Sequence, residues 1–313
     1  MKFLLTAINA KFIHSNPAIY SLRAGVGEKL QPYVELAEFT INESLESILE
    51  GIWKRQPKVI GFSCYIWNWK LIREILTELP KILPDTEIWL GGPEVTYDGP
   101  GLLSEFPQVT GIMVGEGEVT FREVLGQYVR EAESTGQSEQ QPEPDSIEQQ
   151  AADRTGTLAG KSVAERFGQI PGLCLASGYT APRELTDLTT LPFLYEDMEP
   201  FTNRIIYYET SRGCPYRCSY CLSSIDKKVR LRDIDVVKRE LQFFLDQNVK
   251  QVKFIDRTFN CDHKHAMEIW EYIYKHDNGV TNFHFEISAD ILREEEIVLL
   301  NRFRPGLAQL EIG

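Results

Sequence analysis

The stretch that decides the fold is S-R-G-C-P-Y-R-C-S-Y-C, residues 211–221, which places three thiols close together at Cys214, Cys218 and Cys221. The residues just before it, 204–210, have the apolar composition of a buried strand. Three thiolates can hold three irons of a 4Fe-4S cube, whereas a cluster that only transfers electrons ordinarily has four cysteine ligands. The pattern therefore predicts a cluster with one iron left open to a small ligand.

A structural zinc site is the alternative interpretation of these thiols. Such a site has four ligands, usually in paired C-x2-C or Cys/His spacings, and Cys261, His263 and His265 could complete it from further along the chain. The C-x3-C-x2-C spacing and the preceding strand match zinc modules poorly, so we favour the iron-sulfur cluster. We interpret Cys64 and Cys174 as apolar core residues.

With the aromatic Tyr220 just before its last cysteine, this spacing resembles the signature of the radical S-adenosylmethionine (radical SAM) superfamily. The resemblance covers residues 204–313 and implies that Cys214, Cys218 and Cys221 are the cluster ligands. It also implies that the open iron chelates the amino and carboxylate groups of S-adenosylmethionine. An electron from the cluster then breaks the sulfonium to give methionine and a 5′-deoxyadenosyl radical.

The segment 204–313 alternates short apolar runs with amphipathic ones, which predicts a second series of strands and helices, and the resemblance implies that they form a β/α barrel. The predicted strands are 204–210, 249–255, 282–288 and 307–312. The predicted helices are 235–247, 263–276 and 294–303. This is fewer strands than the family's barrel has, so we expect a barrel truncated after its fourth strand.

Polar residues end the second and third of these strands, in F-I-D-R-T-F-N (254–260) and F-E-I-S (285–288). In the family, such positions lie near S-adenosylmethionine. The alternative is that polar residues at strand ends are merely solvated. The contacts implied by the resemblance are Tyr220, Asp256, Asn260, Glu286 and Ser288.

The first 130 residues alternate strands and helices in the same way. The predicted strands are 2–8, 34–40, 58–64, 87–91 and 111–114, and the predicted helices are 17–30, 43–53, 69–83 and 119–130. This order indicates a doubly wound, flavodoxin- or Rossmann-like parallel sheet, in which ligands bind beyond the carboxyl ends of the strands.

Four segments stand at those strand ends: 9–17, 63–68, G-G-P-E-V (91–95) and G-E-G-E (115–118). Glycines there let a bulky ligand approach the backbone, because no Cβ intervenes. Their order resembles the cobalamin-binding domain that precedes many radical SAM barrels. The resemblance implies a cobalamin site formed by Asn9, His14, Ser63, Tyr65, Trp67, Gly91, Gly92, Pro93, Glu94, Gly115, Glu116 and Gly117. Aromatic Tyr65 and Trp67 would form a wall for the apolar face of the corrin ring.

One departure from the cobalamin-binding pattern concerns the axial ligand of cobalt. The D-x-H-x-x-G element is missing after the first strand, and His14 is the only histidine of this domain. Either His14 replaces that ligand or cobalt has no protein ligand, and we favour the second alternative. A phosphate or flavin loop, or a domain that has lost its ligand, stays open as well, although neither G-x-G-x-x-G nor G-x4-G-K-[ST] is present.

Composition constrains the rest of the chain. Residues 131–169 are rich in Glu, Gln, Ser and Gly, which predicts a flexible linker or insertion, and we interpret residues 170–203 as a connector.

With a net charge of −13 and no basic segment, a nucleic-acid partner is disfavoured. No apolar run is long enough for a membrane helix. Clustered cysteines in a long chain favour a reducing compartment, so we expect a cytoplasmic protein.

The leading functional hypothesis is a cobalamin-dependent radical SAM enzyme. By resemblance, it passes a methyl group from methylcobalamin to an unactivated carbon or phosphorus of a small-molecule substrate, and it takes electrons from an external donor of the flavodoxin or ferredoxin type. The alternatives are a radical SAM methylthiotransferase and a non-catalytic metal- or cobalamin-binding protein. A methylthiotransferase holds a second cluster on three cysteines of its first domain, whereas Cys64 is the only cysteine before residue 130.

Visible absorption distinguishes these hypotheses. We expect the anaerobically reconstituted protein to show iron-sulfur charge-transfer bands and, independently, corrin bands after incubation with cobalamin. A colourless protein that contains zinc and no sulfide would contradict the prediction.

Overall fold

The computed structural model of the protein describes residues 1–134, 161–226 and 228–312. They divide into two compact units. The first consists of Met1–Phe12 and Asn16–Leu185, and the second of Ile13–Ser15 and Thr186–Gly313. Each unit is built on its own sheet, which is mainly parallel in the first unit and parallel in the second.

The first unit contains one sheet in the order β2-β1-β3-β4-β5-β6-β7. Its strands are β1 (Phe3–Asn9), β2 (Val34–Thr40), β3 (Val59–Ser63), β4 (Glu87–Gly91), β5 (Val109–Met113), β6 (Leu173–Leu175) and β7 (Gly178–Tyr179). Strands β1 to β5 are parallel, and β6 and β7 extend the sheet as an antiparallel hairpin. Because β1 lies inside the sheet, all of its side chains are buried.

Helices cover both faces of this sheet. They are α1 (Pro17–Gly25), α2 (Leu45–Trp53), α3 (Trp69–Ile82), α4 (Gly99–Glu105), α5 (Gly117–Ser134) and α6 (Val163–Phe167). Apolar residues of α2, α3 and α4 form a core on one face, and those of α1, α5 and α6 form a core on the other. The doubly wound sheet predicted from the sequence is therefore confirmed.

The structure differs from the sequence prediction mainly at the edges of this unit. Helix α4 was not predicted, because its seven residues include two glycines and a proline. Part of the segment 131–169 is packed rather than linking, since α5 continues to Ser134 and Phe167 of α6 is fully buried. The rest of that predicted linker, 135–160, lies outside the described residues. The hairpin β6–β7 places the start of the predicted connector 170–203 in the first unit.

The second unit has a four-stranded parallel sheet in the order β13-β12-β11-β8, with a two-stranded antiparallel ribbon, β9–β10. Its strands are β8 (Ile206–Tyr208), β9 (Ser211–Arg212), β10 (Arg230–Leu231), β11 (Gln251–Phe254), β12 (Asn282–Ile287) and β13 (Ala308–Ile312). Its helices are α7 (Ile234–Asp246), α8 (His263–Lys275) and α9 (Glu294–Leu300). All four predicted barrel strands and all three helices are present.

An aromatic core joins these helices to the sheet of the second unit. The rings of Phe254 on β11 and Phe285 on β12 lie 4.5 Å apart between centroids. Trp270 of α8 contacts Phe285, and Phe244 of α7 contacts Tyr208 of β8. Since side chains alternate along a strand, residues between these aromatics point to the other face of the sheet. That face carries the polar residues described below.

Local signals in the sequence set several helix starts. The side chains of Asn16, Ser44, Asp233 and Asp262 accept hydrogen bonds from backbone N–H groups in the first turns of α1, α2, α7 and α8. Such caps satisfy donors that have no partner within the helix. In the described part of the chain, we find no helix with the length and apolar character that crossing a bilayer requires.

A buried guanidinium fastens α6 to the first unit. Arg166 donates to both carboxylate oxygens of Glu87 and of Glu131 at 2.9–3.1 Å, and its side chain is wholly buried. Its guanidinium carbon lies 5.0 Å from the ring centre of Tyr128 and 4.7 Å from that of Phe167. Burial lowers the pKa of Arg166, but the two ion pairs outweigh it and raise that pKa above its usual value.

We expect Arg166→Met to lower the free energy of unfolding of the first unit by about 3–5 kcal/mol, because it removes a buried guanidinium that is paired with two partly buried carboxylates. Urea unfolding followed by circular dichroism measures this loss. The matched control is Lys81→Met, which removes the exposed pair with Glu78 and should cost less than about 1 kcal/mol. Equal losses of unfolding free energy in the two variants would contradict the stabilising role given to the buried Arg166 ion pairs.

Candidate functional site

The carboxyl ends of β8 and β11 are joined by Asp256, whose side chain is fully buried. Its carboxylate accepts hydrogen bonds from the backbone N–H of Thr210 (3.1 Å), the Thr210 hydroxyl (2.7 Å) and the Ser211 hydroxyl (2.5 Å). Burial raises the pKa of the Asp256 carboxyl, against the lowering effect of these bonds. Asp256 thus fixes the residues that lead into the cysteine loop.

The cysteine loop is closed at its base. Ribbon β9–β10 brackets it, and the backbone N–H of Cys214 donates to the carbonyl of Asp226 at 3.0 Å. Gly213 has φ +94°, and a Cβ there would lie 2.5 Å from the carbonyl oxygen of Lys228. Only glycine fits that close crossing of the two loop ends without strain. The thiols therefore lie on a loop whose ends are fixed together.

The three predicted cluster ligands occupy different positions on that loop. Cys214 is buried at the base, Cys221 is partly buried, and Cys218 is exposed. Among the described residues, no three His, Cys, Asp or Glu side chains form a group that could hold a metal ion. In this structure the three thiols are therefore on one loop but are not gathered into a metal-binding group, and their role as cluster ligands stays a prediction.

The loop also reaches the end of β12. The hydroxyl of Tyr216 donates to Ser288 Oγ at 3.2 Å, and Ser288 Oγ donates to Asp290 at 2.6 Å. Asn260 is fully buried and brackets the Ser288 backbone, donating to its carbonyl at 2.8 Å and accepting from its N–H at 2.9 Å. The ends of β8, β11 and β12 are therefore gathered around one loop.

The predicted S-adenosylmethionine contacts divide into two groups. Asp256 and Asn260 are buried and bonded within the chain, as described above. Glu286, Ser288 and Tyr220 are accessible, and Tyr220 is 92 % exposed. Only the second group can reach a ligand as the side chains stand.

The face of the second sheet opposite its aromatic core is polar. Lys253 on β11 is the register partner of Tyr207 on β8 and of His284 on β12. The Lys253 Nζ lies 3.0 Å from a Glu311 oxygen and 3.6 Å from a Glu286 oxygen. A parallel sheet is usually covered by apolar contacts on both faces, so charged groups in these positions suit a polar ligand rather than a packed core.

The residues of the zinc alternative do not come together. His263 Nδ1 lies 2.8 Å from Glu296, which is buried, and His265 is buried with a lowered pKa that results mainly from burial. Burial raises the pKa of the Cys261 thiol, with further contributions from Asp262, Cys214 and Asp256. These environments favour a neutral imidazole in the core and a protonated thiol rather than a zinc site.

At the carboxyl edge of the first sheet, amides hold the strand ends. Asn68 donates to the carbonyls of Ile8 (3.0 Å) and Ser63 (2.9 Å). Asn16 donates to Ser63 Oγ at 3.3 Å, which links the loops after β1 and β3. The sequence analysis had not selected Asn16 or Asn68, although both lie within the segments it marked.

Glu38 on β2 is a third residue that the sequence analysis missed. It accepts from Asn9 Nδ2 (2.9 Å), the N–H of Asn16 (3.0 Å) and the Tyr20 hydroxyl (2.7 Å). It belongs to a predicted strand rather than to a strand-end loop, so no signal pointed to it. Asn9, predicted as a cobalamin contact, is therefore buried and bonded within the chain.

The G-G-P-E segment crosses very close to the loop after β3. Gly92 has φ +108°, and a Cβ there would lie 2.5 Å from the carbonyl oxygen of Cys64. The N–H of Cys64 in turn donates to the Gly91 carbonyl at 2.7 Å. In the G-E-G-E segment, Gly115 has φ +80° with open space where a side chain would be. Cys64 itself is fully buried, as is Cys174, in agreement with their predicted place in the core.

Apolar side chains from three strand-end loops of this sheet face solvent. Phe12 follows β1, Ile66 and Trp67 follow β3, and Tyr97 follows β4. Ile66 is 81 % exposed, and Trp67 stacks on Tyr65 with ring centroids 4.3 Å apart. Because parallel strands end at one edge, these side chains share the edge at which ligands bind in such folds. They suit a large ligand with an apolar face, as a corrin ring would require.

His14 belongs to the second unit rather than to the first. It forms a parallel bridge with Ile205, beside β8, and its Nδ1 is hydrogen-bonded to the Tyr207 hydroxyl. Ser15 donates to the Ile205 carbonyl at 3.2 Å. This bond involves Nδ1 only, so it does not decide between the two alternatives for the axial ligand of cobalt, which stay predictions.

Comparison with known proteins agrees with this two-unit organisation. Residues 4–125 match the model of the B12 binding domain, and residues 208–312 match that of the radical SAM superfamily. These matches fall on the first sheet with its strand-end loops and on the parallel sheet with its cysteine loop.

Two curated proteins and one solved structure illustrate the similarity. The 2-(S-pantetheinyl)-carbapenam-3-carboxylate methyltransferase of Streptantibioticus cattleyicolor is 27% identical over 228 residues, covering 69% of this chain and 29% of that protein. The anaerobic magnesium-protoporphyrin IX monomethyl ester cyclase of Rubrivivax gelatinosus is 24% identical over 284 residues, covering 86% and 46%. The cobalamin-dependent S-adenosylmethionine radical enzyme OxsB, with aqua-cobalamin and S-adenosylmethionine bound, has a TM-score of 0.69 at 17% identity and covers 99% of this chain and 43% of its own. This chain therefore spans less than half the length of each.

Asp256→Ala should lower the free energy of unfolding of the second unit by about 2–5 kcal/mol, because it leaves one buried N–H and two hydroxyls without their acceptor. Asp256→Asn should cost less than about 1.5 kcal/mol, because its oxygen can accept from the N–H while its NH2 donates to the hydroxyls. Urea unfolding of the protein without cofactors measures both, with the exposed Asp246→Asn as control. If the Ala variant were as stable as the Asn variant, the hydrogen bonds of Asp256 to Thr210 and Ser211 would not be what holds the two strand ends together.

Proposed function

We propose a function from one premise: the chain belongs to the radical SAM proteins that carry an amino-terminal B12-binding domain. It binds a 4Fe-4S cluster, S-adenosylmethionine and cobalamin, and it transfers a methyl group to an unactivated position of a small-molecule substrate. The observation that carries the proposal is the three-cysteine loop, fixed at its base, at the carboxyl ends of parallel strands.

The cluster would be held by Cys214, Cys218 and Cys221. Cys214 lies at the closed base of the loop, and Cys218 and Cys221 would complete the ligand set from its outer part. When bound, the cluster and cobalamin supply the one-electron and methyl-transfer chemistry that amino-acid side chains lack. The chain provides the anchored loop and, through Asp256, a rigid connection between that loop and the sheet.

S-adenosylmethionine would meet the accessible polar groups beside this loop. Glu286 and Ser288 at the end of β12 offer acceptors for hydroxyl or ammonium groups, and Tyr220 offers an aromatic surface. Asp256 and Asn260, which are bonded within the chain, act by holding the strand ends. The polar face around Lys253 and His284 would accept a substrate that carries polar groups.

Cobalamin would bind at the carboxyl edge of the first sheet. Among the predicted residues, Ser63 ends β3 and Gly91 ends β4, and Gly92, Pro93 and Glu94 follow β4 directly. Gly115, Glu116 and Gly117 lie where the loop after β5 enters α5. The exposed apolar residues of these loops, with Tyr65 and Trp67, would cover one face of the corrin. The electron donor would be an external protein of the flavodoxin or ferredoxin type, in the cytoplasm.

Ring closure is the second candidate reaction, because the cyclase relative aligns with 86% of this chain. The carbapenam relative is named a methyltransferase, which favours methyl transfer. A methylthiotransferase is less favoured, because its second cluster needs three cysteines in the first domain. The first unit contains only Cys64 and Cys174, and both are buried in its cores.

The test of the proposed function is anaerobic reconstitution followed by iron, sulfide and cobalt analysis and a 5′-deoxyadenosine assay. We expect four irons and four sulfides per chain, stoichiometric cobalamin, and 5′-deoxyadenosine only with reductant and S-adenosylmethionine present. A protein that binds both cofactors without cleaving S-adenosylmethionine would contradict the enzymatic proposal. One that binds no iron or sulfide would contradict the cluster itself.

Gly92→Ala should weaken cobalamin binding at least tenfold, about 1.4 kcal/mol, because the new Cβ displaces the Cys64 backbone at the proposed site. Equilibrium dialysis against hydroxocobalamin measures the dissociation constant. Gly27→Ala is the matched control, since Gly27 also has positive φ (+78°) but has open space around it. Equal affinity of the Gly92 and Gly27 variants would contradict this site.

A further inference from the structure

Thr258, just beyond β11, carries a buried hydroxyl beside one of the three thiols. Its Oγ1 lies 3.5 Å from Cys214 Sγ, within hydrogen-bond distance for sulfur, and the residue is only 6 % exposed. A buried hydroxyl needs a partner, because losing water without one costs free energy. Thr258 precedes the short 3-10 turn Phe259–Cys261, but its side chain does not cap that turn. The sulfur of Cys214 is thus its partner.

The direction of this hydrogen bond follows from the chemistry of the thiol. In the free protein, either the hydroxyl or the thiol can donate. A cysteine that binds iron has lost its proton, so only Thr258 can then donate, to the sulfur. Cys214 is the thiol with a fixed position, since its N–H is bonded to Asp226. The contact therefore joins Thr258 to the cysteine whose backbone is held at the base of the loop.

We propose that the Thr258 hydroxyl donates a hydrogen bond to the cluster sulfur of Cys214 and raises the reduction potential of the cluster. This inference rests on the proposed function. Such a bond draws negative charge from the thiolate, and it is stronger when the cluster carries the additional electron. Thr258 thus acts through Cys214, as a positioning residue. By raising the potential of the cluster, it lessens how low the reduction potential of an external one-electron donor has to be.

Asp256 makes this geometry rigid. It lies two residues before Thr258 and binds Thr210 and Ser211, which lead into the cysteine loop. The two partners of the proposed bond therefore come from segments that one buried carboxylate holds together. A shift of either segment would change the distance between Thr258 Oγ1 and Cys214 Sγ.

The experiment compares the wild type with Thr258→Val, which has the same shape without the hydroxyl, and Thr258→Ser, which keeps it. Each protein is reconstituted anaerobically, its iron and sulfide are measured, and its midpoint potential is determined by titration followed by electron paramagnetic resonance. We expect the Val variant to have a roughly tenfold smaller equilibrium constant for one-electron reduction, a shift of about 59 mV to lower potential. The Ser variant should stay close to the wild type.

The matched control is Thr281→Val, which removes another buried hydroxyl of the second unit, bonded to Asn278 rather than to a thiol. Its potential should equal that of the wild type. A Val variant at Thr258 with a full cluster and an unchanged potential would overturn the inference, as would a Ser variant that behaves like the Val variant. If Thr258→Val and Thr258→Ala both fold but bind no cluster, the hydroxyl serves assembly and the inference also fails.

These outcomes are separate from a failure of the proposed function. A wild-type protein that binds no iron or sulfide contradicts the function. A wild-type protein that binds the cluster and cleaves S-adenosylmethionine, with a potential that does not depend on Thr258, contradicts this inference alone.

Discussion

The buried carboxylate of Asp256 is the interaction on which the candidate site depends. It connects the end of β11 to the two residues that follow β8, and the cysteine loop begins directly after them. Because the carboxylate is desolvated, its hydrogen bonds are costly to lose and hold the backbone in one place. A cluster ligand on a loop needs such an anchor, since the loop itself contains no regular core.

The first unit brings its predicted site residues together by a different means, the parallel sheet itself. Parallel strands bring their loops to one edge, and Asn16, Asn68 and Glu38 hold those loops by hydrogen bonds. Gly92 allows two loops to cross at backbone distance. Exposed apolar residues such as Ile66 and Trp67 then remain available, which is the property a corrin-binding surface needs.

Sequence patterns predicted much of this fold because the strands, helices and turns concerned are set by residues close together in the chain. Alternating strands and helices, the three-cysteine spacing and the glycine segments are all local signals. Helix α4 was missed, since it is short and contains two glycines and a proline. The bracing role of Asp256 and Asn260 was also not predictable, because a strand-end polar residue looks the same whether it faces a ligand or its own backbone. His14 illustrates the same limit: the sequence places it near the first sheet, whereas it bridges to Ile205, just before β8 of the second unit.

The central claim is that the open iron of a three-cysteine cluster binds S-adenosylmethionine. Electron paramagnetic resonance of the anaerobically reconstituted, reduced protein, recorded before and after S-adenosylmethionine is added, tests it most directly. We expect the signal of a reduced 4Fe-4S cluster whose g values change when S-adenosylmethionine binds to the iron. A cluster signal that is identical with and without S-adenosylmethionine would contradict the account.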